Sequence, residues 1–412
     1  MVAGPATRAS TQGCFAQSLG LGIGFDGAPA VLGYGADLKS AICFLSAGRA
    51  SVSPQFGDLV DARSNADYRR ALDRLADEAI ERPAFLAADM HPEYQSRKLA
   101  EARALRERLP LTEVQHHHAH IASCLAENGA PLAGPPVIGV ALDGLGFGED
   151  GTIWGGEFLI ADYAGFRRAA CLKPVAMVGG ELAAREPWRN TYAHLMAAIG
   201  WTEFEQRAGG HELLGFLAAK PRRILDRMLR LGVNCPLASS CGRLFDAVAA
   251  AVGICRDKVA FEGEAAIGLQ QSIDERQLDA MGGARGYPFA ITDAPESGML
   301  VVDPRPMWDA LLGDLVKGAA RGAIAAQFHA GLASVIARTV ELLSLREAQP
   351  EHLRTVALSG GVFQNAVLRK QVRLRLENAG FSVLTHRLVP THDGGISLGQ
   401  AAIVAARMAS KD

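Results

Sequence analysis

Strand-forming runs separated by glycine-rich turns occur twice in this chain in the same order, and this doubling restricts the fold more than any other feature. Val31–Tyr34, Ser40–Leu45 and Ala50–Ser53 read as three short strands, with a hairpin turn at Ser46–Arg49. After a Pro/Gly break at 131–136, Val137–Leu142, Thr152–Ala161 and Ala169–Val178 again give strand, glycine-rich turn, strand, strand. Residue identity between the copies is negligible, so the repeat is one of architecture only.

The rest of the pattern completes two α/β lobes. A helix at about 63–79, a buried strand over Pro83–Ala88 ending at Asp89, a charged helix at 93–107 and a strand over Leu111–Gln115 follow the first hairpin. Residues 181–345 read as mainly helical. The chain closes with strand Thr355–Leu358, helix 362–378, strand Phe381–Thr385 and helix 396–408. The expected division is a flexible leader at 1–29, a first lobe at 30–133 and a second at 134–412. The second carries the helical insert, and the final helix packs back near the first lobe. Ligands are expected in a cleft between the lobes, where strand ends meet helix starts.

Four of the eleven histidines fall in Gln115-His116-His117-His118-Ala119-His120, at the start of an apolar run. On a helix, positions i and i+4 share a face, so His116 and His120 can reach one metal ion while His117 and His118 point elsewhere. The third ligand expected is Asp393, in Thr391-His392-Asp393-Gly394-Gly395, converging on the imidazoles across the interlobe crevice. By itself Asp393 also reads as an N-cap. Two imidazoles and a carboxylate with open positions form an iron(II)-type site that zinc also tolerates.

Glycine motifs suggest a second chemistry. Asp143–Glu157 (DGLGFGEDGTIWGGE) joins two strands, and its glycines allow backbone N–H groups to face a phosphate. Asp143, at a strand end, can hold a metal-bound water or act on a bound group. Ser359–Asn365 (SGGVFQN) links a strand to a helix N-terminus, a setting suited to phosphate or ribose. Gly144, Gly146, Gly156, Gly360, Gly361 and Asn365 are therefore candidate cofactor contacts. Arg185–Arg189 (REPWR) reads either as an anion partner or as a helix start with internal salt bridges. Cys241–Val248 and Phe261–Ala266 have the spacing of packed helices, with nucleotide contact open at Gly242, Asp246, Glu262 and Glu264. Lys39, in Gly35–Ser40 (GADLKS), reads as a charge partner for an anionic substrate or as a surface lysine.

Composition narrows the setting. The net charge of −2 supplies no bulk basic field for nucleic acid. The seven cysteines contain no CxxC spacing, which fits reduced thiols in the cytoplasm. No charge-free apolar segment of about 20 residues occurs, so no membrane span is expected.

In this order, GADLKS, Gly57-Asp58-Leu59, His91-Pro92-Glu93-Tyr94, QHHHAH, DGLGFGEDGTIWGGE, REPWR, Gly242–Val248 (GRLFDAV), Phe328-His329, SGGVFQN and Asp393–Gln400 span residues 30 to 400. The chain resembles the C-terminal, Kae1-like region of HypF, the carbamoyltransferase of NiFe-hydrogenase maturation. The resemblance implies an α/β ASKHA fold, built like actin and the sugar kinases, with helical insertions. It implies metal ligation by His116, His120 and Asp393, with iron or zinc, and an adenylate held by the glycine motifs with Glu181, Asp246, Glu264 and Asn365. ATP is accompanied by magnesium. Lys39, Asp143 and His117 are the candidate catalytic groups. The implied reaction moves a carbamoyl group from carbamoyl adenylate, made from carbamoyl phosphate and ATP, to the C-terminal cysteine of HypE. Full-length HypF carries acylphosphatase-like, zinc-finger and YrdC-like domains before this region, so a truncated form is expected, one that either receives carbamoyl adenylate from a separate YrdC-like protein or performs both steps in its own cleft. The family's GGD and EGQAA are here Gly179-Gly180-Glu181 and Glu262-Gly263-Glu264-Ala265-Ala266. The alternatives are an O-carbamoyltransferase acting on a small molecule, a Kae1/TsaD-like tRNA threonylcarbamoyl transferase and a HypE-binding scaffold.

Overall fold

The computed structural model describes residues 15–78, 81–274, 276–277, 286–295, 297–347 and 353–409. They form two compact units: Met1–Gly134 with Asp162–Gly165 and His386–Asp412, and Pro135–Ala161 with Phe166–Thr385.

The first unit is built on strands β1 (Gln17–Gly20), β2 (Val31–Gly33), β3 (Cys43–Ser46), β4 (Arg49–Val52), β5 (Phe85–Asp89) and β6 (Leu111–Val114), in the order β1-β4-β3-β2-β5-β6. β2, β3 and β4 pair antiparallel, whereas β2–β5 and β5–β6 are parallel. Leu32, Ile42, Tyr68, Leu86 and Ala100 lie in the core where helices Ala62–Glu78 and Gln95–Glu107 meet the sheet. Of the leader expected at 1–29, residues 1–14 lie outside the described residues. Gln17–Gly20 is a strand on the edge of the sheet and Phe25 is fully buried, so this part of the expected leader belongs to the folded unit.

The second unit contains β7 (Val137–Phe147), β8 (Ile153–Ala161), β9 (Phe166–Leu172), β12 (Ala290–Asp293), β13 (Leu300–Asp303), β14 (Thr355–Ser359) and β15 (Ser382–Leu384), in the order β12-β13-β9-β8-β7-β14-β15. β10 (Val175–Ala176) and β11 (Leu237–Ala238) pair beside β8. β7, β8 and β9 pair antiparallel, and β7–β14 and β14–β15 pair parallel. With β2–β6 taken as one set of five and β7, β8, β9, β14 and β15 as the other, both sheets run third-second-first-fourth-fifth, with the same pairing senses. The doubling seen in the sequence is thus a doubled α/β sheet.

Two boundaries shift. The region 181–345 contributes β11, β12 and β13 as well as helices, and β13 extends the sheet beside β9. Helix Arg321–Arg346 is long and apolar enough to cross a membrane by length and composition, but 72% of its apolar window is buried inside the protein, as in a core helix.

The closing helix, Ile396–Ala409, belongs to the first unit and is buried along Ile396–Ala406. Only glycine permits its fit. A Cβ on Gly399 would stand 1.9 Å from the Ala119 carbonyl oxygen, and one on Gly33 would stand 2.3 Å from that of Ser397. The helix is thereby set against both β2 and the histidine-bearing helix His116–Glu127.

Candidate metal centre and glycine-lined floor

In the first unit, His116–Glu127 is one helix and all four histidines of the run are buried. Gln115 is its N-cap, its side-chain oxygen accepting from the His118 N–H at 2.9 Å. His116 Nε2 and His120 Nε2 lie 3.7 and 3.6 Å from Asp393 Oδ1. The ligand atoms of these three residues fall within 4.8 Å of one another, an arrangement able to hold a metal ion. The i, i+4 spacing brings the imidazoles together as expected. Asp393 arrives differently from expectation: it belongs to the same unit as the histidines rather than to the other lobe. It stands in the one-turn 3-10 helix Asp393–Gly395 that leads into the closing helix, and Ser123 of the histidine helix donates to the Gly395 carbonyl at 2.8 Å.

Sequence reasoning passed over Asp89. Its Oδ2 lies 2.8 Å from His116 Nδ1, both side chains being fully buried, and its Oδ1 accepts the His91 N–H at 2.9 Å. A carboxylate on Nδ1 fixes the tautomer and leaves Nε2 as the ligand atom. Its position at the end of a buried strand was visible, but nothing local links it to a histidine 27 positions away. His118 serves packing: its Nε2 is 2.7 Å from the Asp162 carbonyl oxygen, and burial pushes its pKa down to about 4, so the neutral ring donates. His117 Nδ1 is 3.3 Å from Gln115 Nε2, within the helix's own first turn.

Lys39 sits in left-handed backbone, at φ 49°. Its loop is pinned around it. Gly35 exchanges two hydrogen bonds with the Gln400 amide, Asp37 accepts the N–H groups of Gln95 and Ser96 at a helix start, and Ser40 pairs with Gly57.

In the second unit the glycine motifs meet backbone to backbone. A Cβ on Gly360, whose φ is +101°, would lie 2.2 Å from the Leu142 carbonyl oxygen, and one on Gly242 would lie 2.9 Å from Gly144 Cα. Asp143–Phe147 is not a free loop: it continues β7, with a register shift between Leu142 and Gly146, and Gly146 pairs with Trp154. Asp143 Oδ1 accepts the N–H groups of Gly144 at 2.8 Å and Gly361 at 3.2 Å. Two of the donors expected for phosphate thus already converge on one anionic oxygen. Asn365 caps helix Ala366–Asn378 through Leu368 N–H, and its Nδ2 lies 2.8 Å from His329 Nε2. His329 Nδ1 faces the Ala325 carbonyl oxygen at 2.7 Å, and burial lowers its pKa to about 4. The neutral ring therefore donates from Nδ1, accepts at Nε2 and orients the Asn365 amide.

Other expected contacts have structural partners of their own. Gly156 is needed by the sheet, since a Cβ there would lie 2.5 Å from the Ser239 carbonyl oxygen. Glu181 is exposed beside Arg185. Glu264 accepts the Ala260 N–H at its helix start. Asp246 is buried against Arg243 at 2.9 Å; burial raises its pKa above the ordinary carboxylate range and Arg243 only partly opposes this. In the REPWR run, Arg189 pairs with Glu186 at 2.6 Å and stacks on Trp188, in line with the internal-salt-bridge reading.

A doubled α/β sheet of this order, with a His-His-Asp cluster on one unit and a glycine-lined floor on the other, defines an ASKHA-type enzyme scaffold with a candidate metal centre. Residues 26–127 match the family described as "HypF Kae1-like domain", and residues 139–400 match "Carbamoyltransferase, Kae1-like Domain, second subdomain". Carbamoyltransferase HypF of Rhodobacter capsulatus is 38% identical over 398 residues, covering 94% of this chain and 48% of the relative. A carbamoyltransferase HypF homolog of Cupriavidus necator is 38% identical over 386 residues, covering 93% of both. Among solved structures, full-length HypF in a phosphate- and nucleotide-bound form superposes with a TM-score of 0.82 at 32% identity, covering 93% of this chain and 47% of that one. The chain belongs to the HypF carbamoyltransferase family, in its Kae1-like region. It spans about half the length of several of the curated relatives it matches.

Proposed function

We propose that the chain catalyses transfer of a carbamoyl group from carbamoyl adenylate to the C-terminal cysteine of HypE, in the pathway of cyanide ligand synthesis for NiFe hydrogenase. The observation carrying the reading is the triad of His116 Nε2, His120 Nε2 and Asp393, with Asp89 holding His116 in the ligating tautomer. Its donor set suits iron or zinc, which when bound supplies Lewis-acid polarisation and a fixed point for an anionic substrate.

The remaining roles fall to the chain's own groups. The acceptor thiolate attacks the carbamoyl carbon; the C–S bond forms, the bond to the adenylate oxygen breaks, and AMP leaves with the electron pair. In this reading Lys39, held in its pinned loop, neutralises the anionic donor. Gly360 and Asn365 hold phosphate and ribose, with magnesium accompanying ATP, and Asp143, oriented by the Gly144 and Gly361 N–H groups, acts on the bound group. Nucleotide binding draws support from the nucleotide-bound HypF relative. His117 completes the proposed catalytic set. A partner nucleophile suits a protein whose Cys43, Cys124, Cys171, Cys235 and Cys241 are all buried, and free thiols fit a cytoplasmic setting.

The test is carbamoylation of HypE, followed by mass, from carbamoyl phosphate and ATP with and without a YrdC-like protein. The expected result is transfer only when that protein supplies the adenylate, with a loss of 100-fold or more and of bound metal in His116→Ala. Pyrophosphate exchange by the lone chain would assign both steps to these two units. Full transfer by metal-free wild-type protein would overturn the metal reading. Transfer to a small hydroxyl compound with none to HypE would replace the acceptor.

A further inference from the structure

Glu127 is the last residue of the helix that begins at His116. A carboxylate there faces the negative end of the helix dipole, a placement that disfavours the helix. Helix stability therefore does not explain it. Its side chain is 2% exposed, and donors from a segment some 260 positions away close around it. His386 Nδ1 lies 2.9 Å away, Val389 N–H donates at 3.2 Å, and the N–H groups of Arg387 and Leu388 both donate to Oε1. Burial pushes the Glu127 carboxyl up, but these hydrogen bonds outweigh it and hold it below its ordinary range.

The segment so gripped delivers Asp393 four residues beyond Val389. Just past Asp393, Ser123 Oγ donates to the Gly395 carbonyl. Both anchors stand on the helix that carries His116 and His120. One rigid element therefore sets the positions of two ligands directly and brackets the segment bearing the third.

Resting on the reading that His116, His120 and Asp393 hold a divalent ion, we propose that Glu127 is a positioning residue for that site, clasping residues 386–389 so that Asp393 is presented to the two imidazoles. Unlike Asp89, Glu127 acts on the carboxylate ligand, through backbone, from the far end of the helix.

The experiment uses the full chain and cobalt(II) as probe, reading affinity by chelator competition and geometry by the visible absorption of the bound ion. Glu127→Gln keeps size but replaces an acceptor-only group with an amide whose NH₂ faces backbone N–H donors. It is expected to weaken cobalt affinity about 10-fold and to change the absorption bands, as loss of outer support does at other metal sites. Glu127→Asp, which retains the charge on a shorter arm, is expected to fall between the two and to restore the wild-type bands in part. If Glu127→Gln does not fold, Glu127→Asp decides: weakened, altered cobalt binding supports the clasp. Wild-type affinity and bands in a folded variant overturn it. His116→Ala separates the two levels. If it loses cobalt while Glu127→Gln binds normally, only the clasp fails; if it binds cobalt normally, the metal reading fails and the clasp with it.

Discussion

In the first unit the fourth strand of the five-strand set ends at Asp89, whose carboxylate turns to hold a histidine; in the second the fourth strand ends at Ser359 and the chain turns at once through Gly360. The same topological position thus carries an ionic group for the candidate metal site in one unit and a side-chain-free close approach in the other. The hairpins differ likewise. The β2–β3 connection is pinned by side chains, Asp37 and Gln400, whereas the bulged end of β7 is drawn in by backbone N–H groups on Asp143. One sheet order can therefore support two chemistries, because ligands are met at the strand ends and not in the sheet.

Breaking a tight glycine contact in each unit should have the largest effect. Gly399→Ala in the first unit and Gly360→Ala in the second each force a methyl to within 1.9 and 2.2 Å of a carbonyl oxygen, and Gly360 also needs its left-handed φ. Each should cost about 3 kcal/mol or more in denaturant unfolding. Gly399→Ala should also lose cobalt binding, while Gly360→Ala should keep it if it folds. Gly144→Ala, with nothing nearer than 3.8 Å to its new methyl, should unfold like wild type.

Acid sharpens the comparison. His118 in the first unit and His194 and His329 in the second are held near pKa 4 by burial, against an ordinary 6.5. Between those values the unfolded chain binds more protons than the folded one. Stability is therefore full above about pH 6.5 and falls as pH drops towards 4, by up to ~3 kcal/mol per histidine. His329→Gln should flatten that part of the pH–stability curve. In wild type, protonating His329 sets N–H against the Asn365 amide, so nucleotide affinity should hold across most of this range and decline only as pH falls to about 4.

The smaller effects test the strand ends. Asp89→Asn should lower metal affinity 10- to 100-fold with little loss of fold, measured by chelator competition. Asn365→Ala should leave metal binding untouched and cost about 1 kcal/mol through the lost helix cap, measured by thermal unfolding. Equal loss of metal in the two variants would remove the division of labour between the units.

The sequence by itself determined the strands of the two five-strand sets, the i, i+4 histidine pair and the order of the glycine motifs, because these depend on local periodicity and on turn chemistry a few residues long; it missed β1 and the strands within 181–345. The β7 end escaped it: Asp143–Phe147 read as a loop, and only pairing with β8 shows that strand continuing through a bulge. Gly156 and Glu264, read from the sequence as ligand contacts, have structural roles that the motifs did not disclose, in a sheet approach and at a helix start, set by neighbours 83 and four positions away in the chain. Tertiary structure alone decided that Asp393 belongs with the histidines' own unit, that Asp89 sets the His116 tautomer and that Glu127 grips residues 386–389. Each depends on a hydrogen bond or a close packing contact between distant segments, and chain folding, not local pattern, brings those groups within a few ångströms.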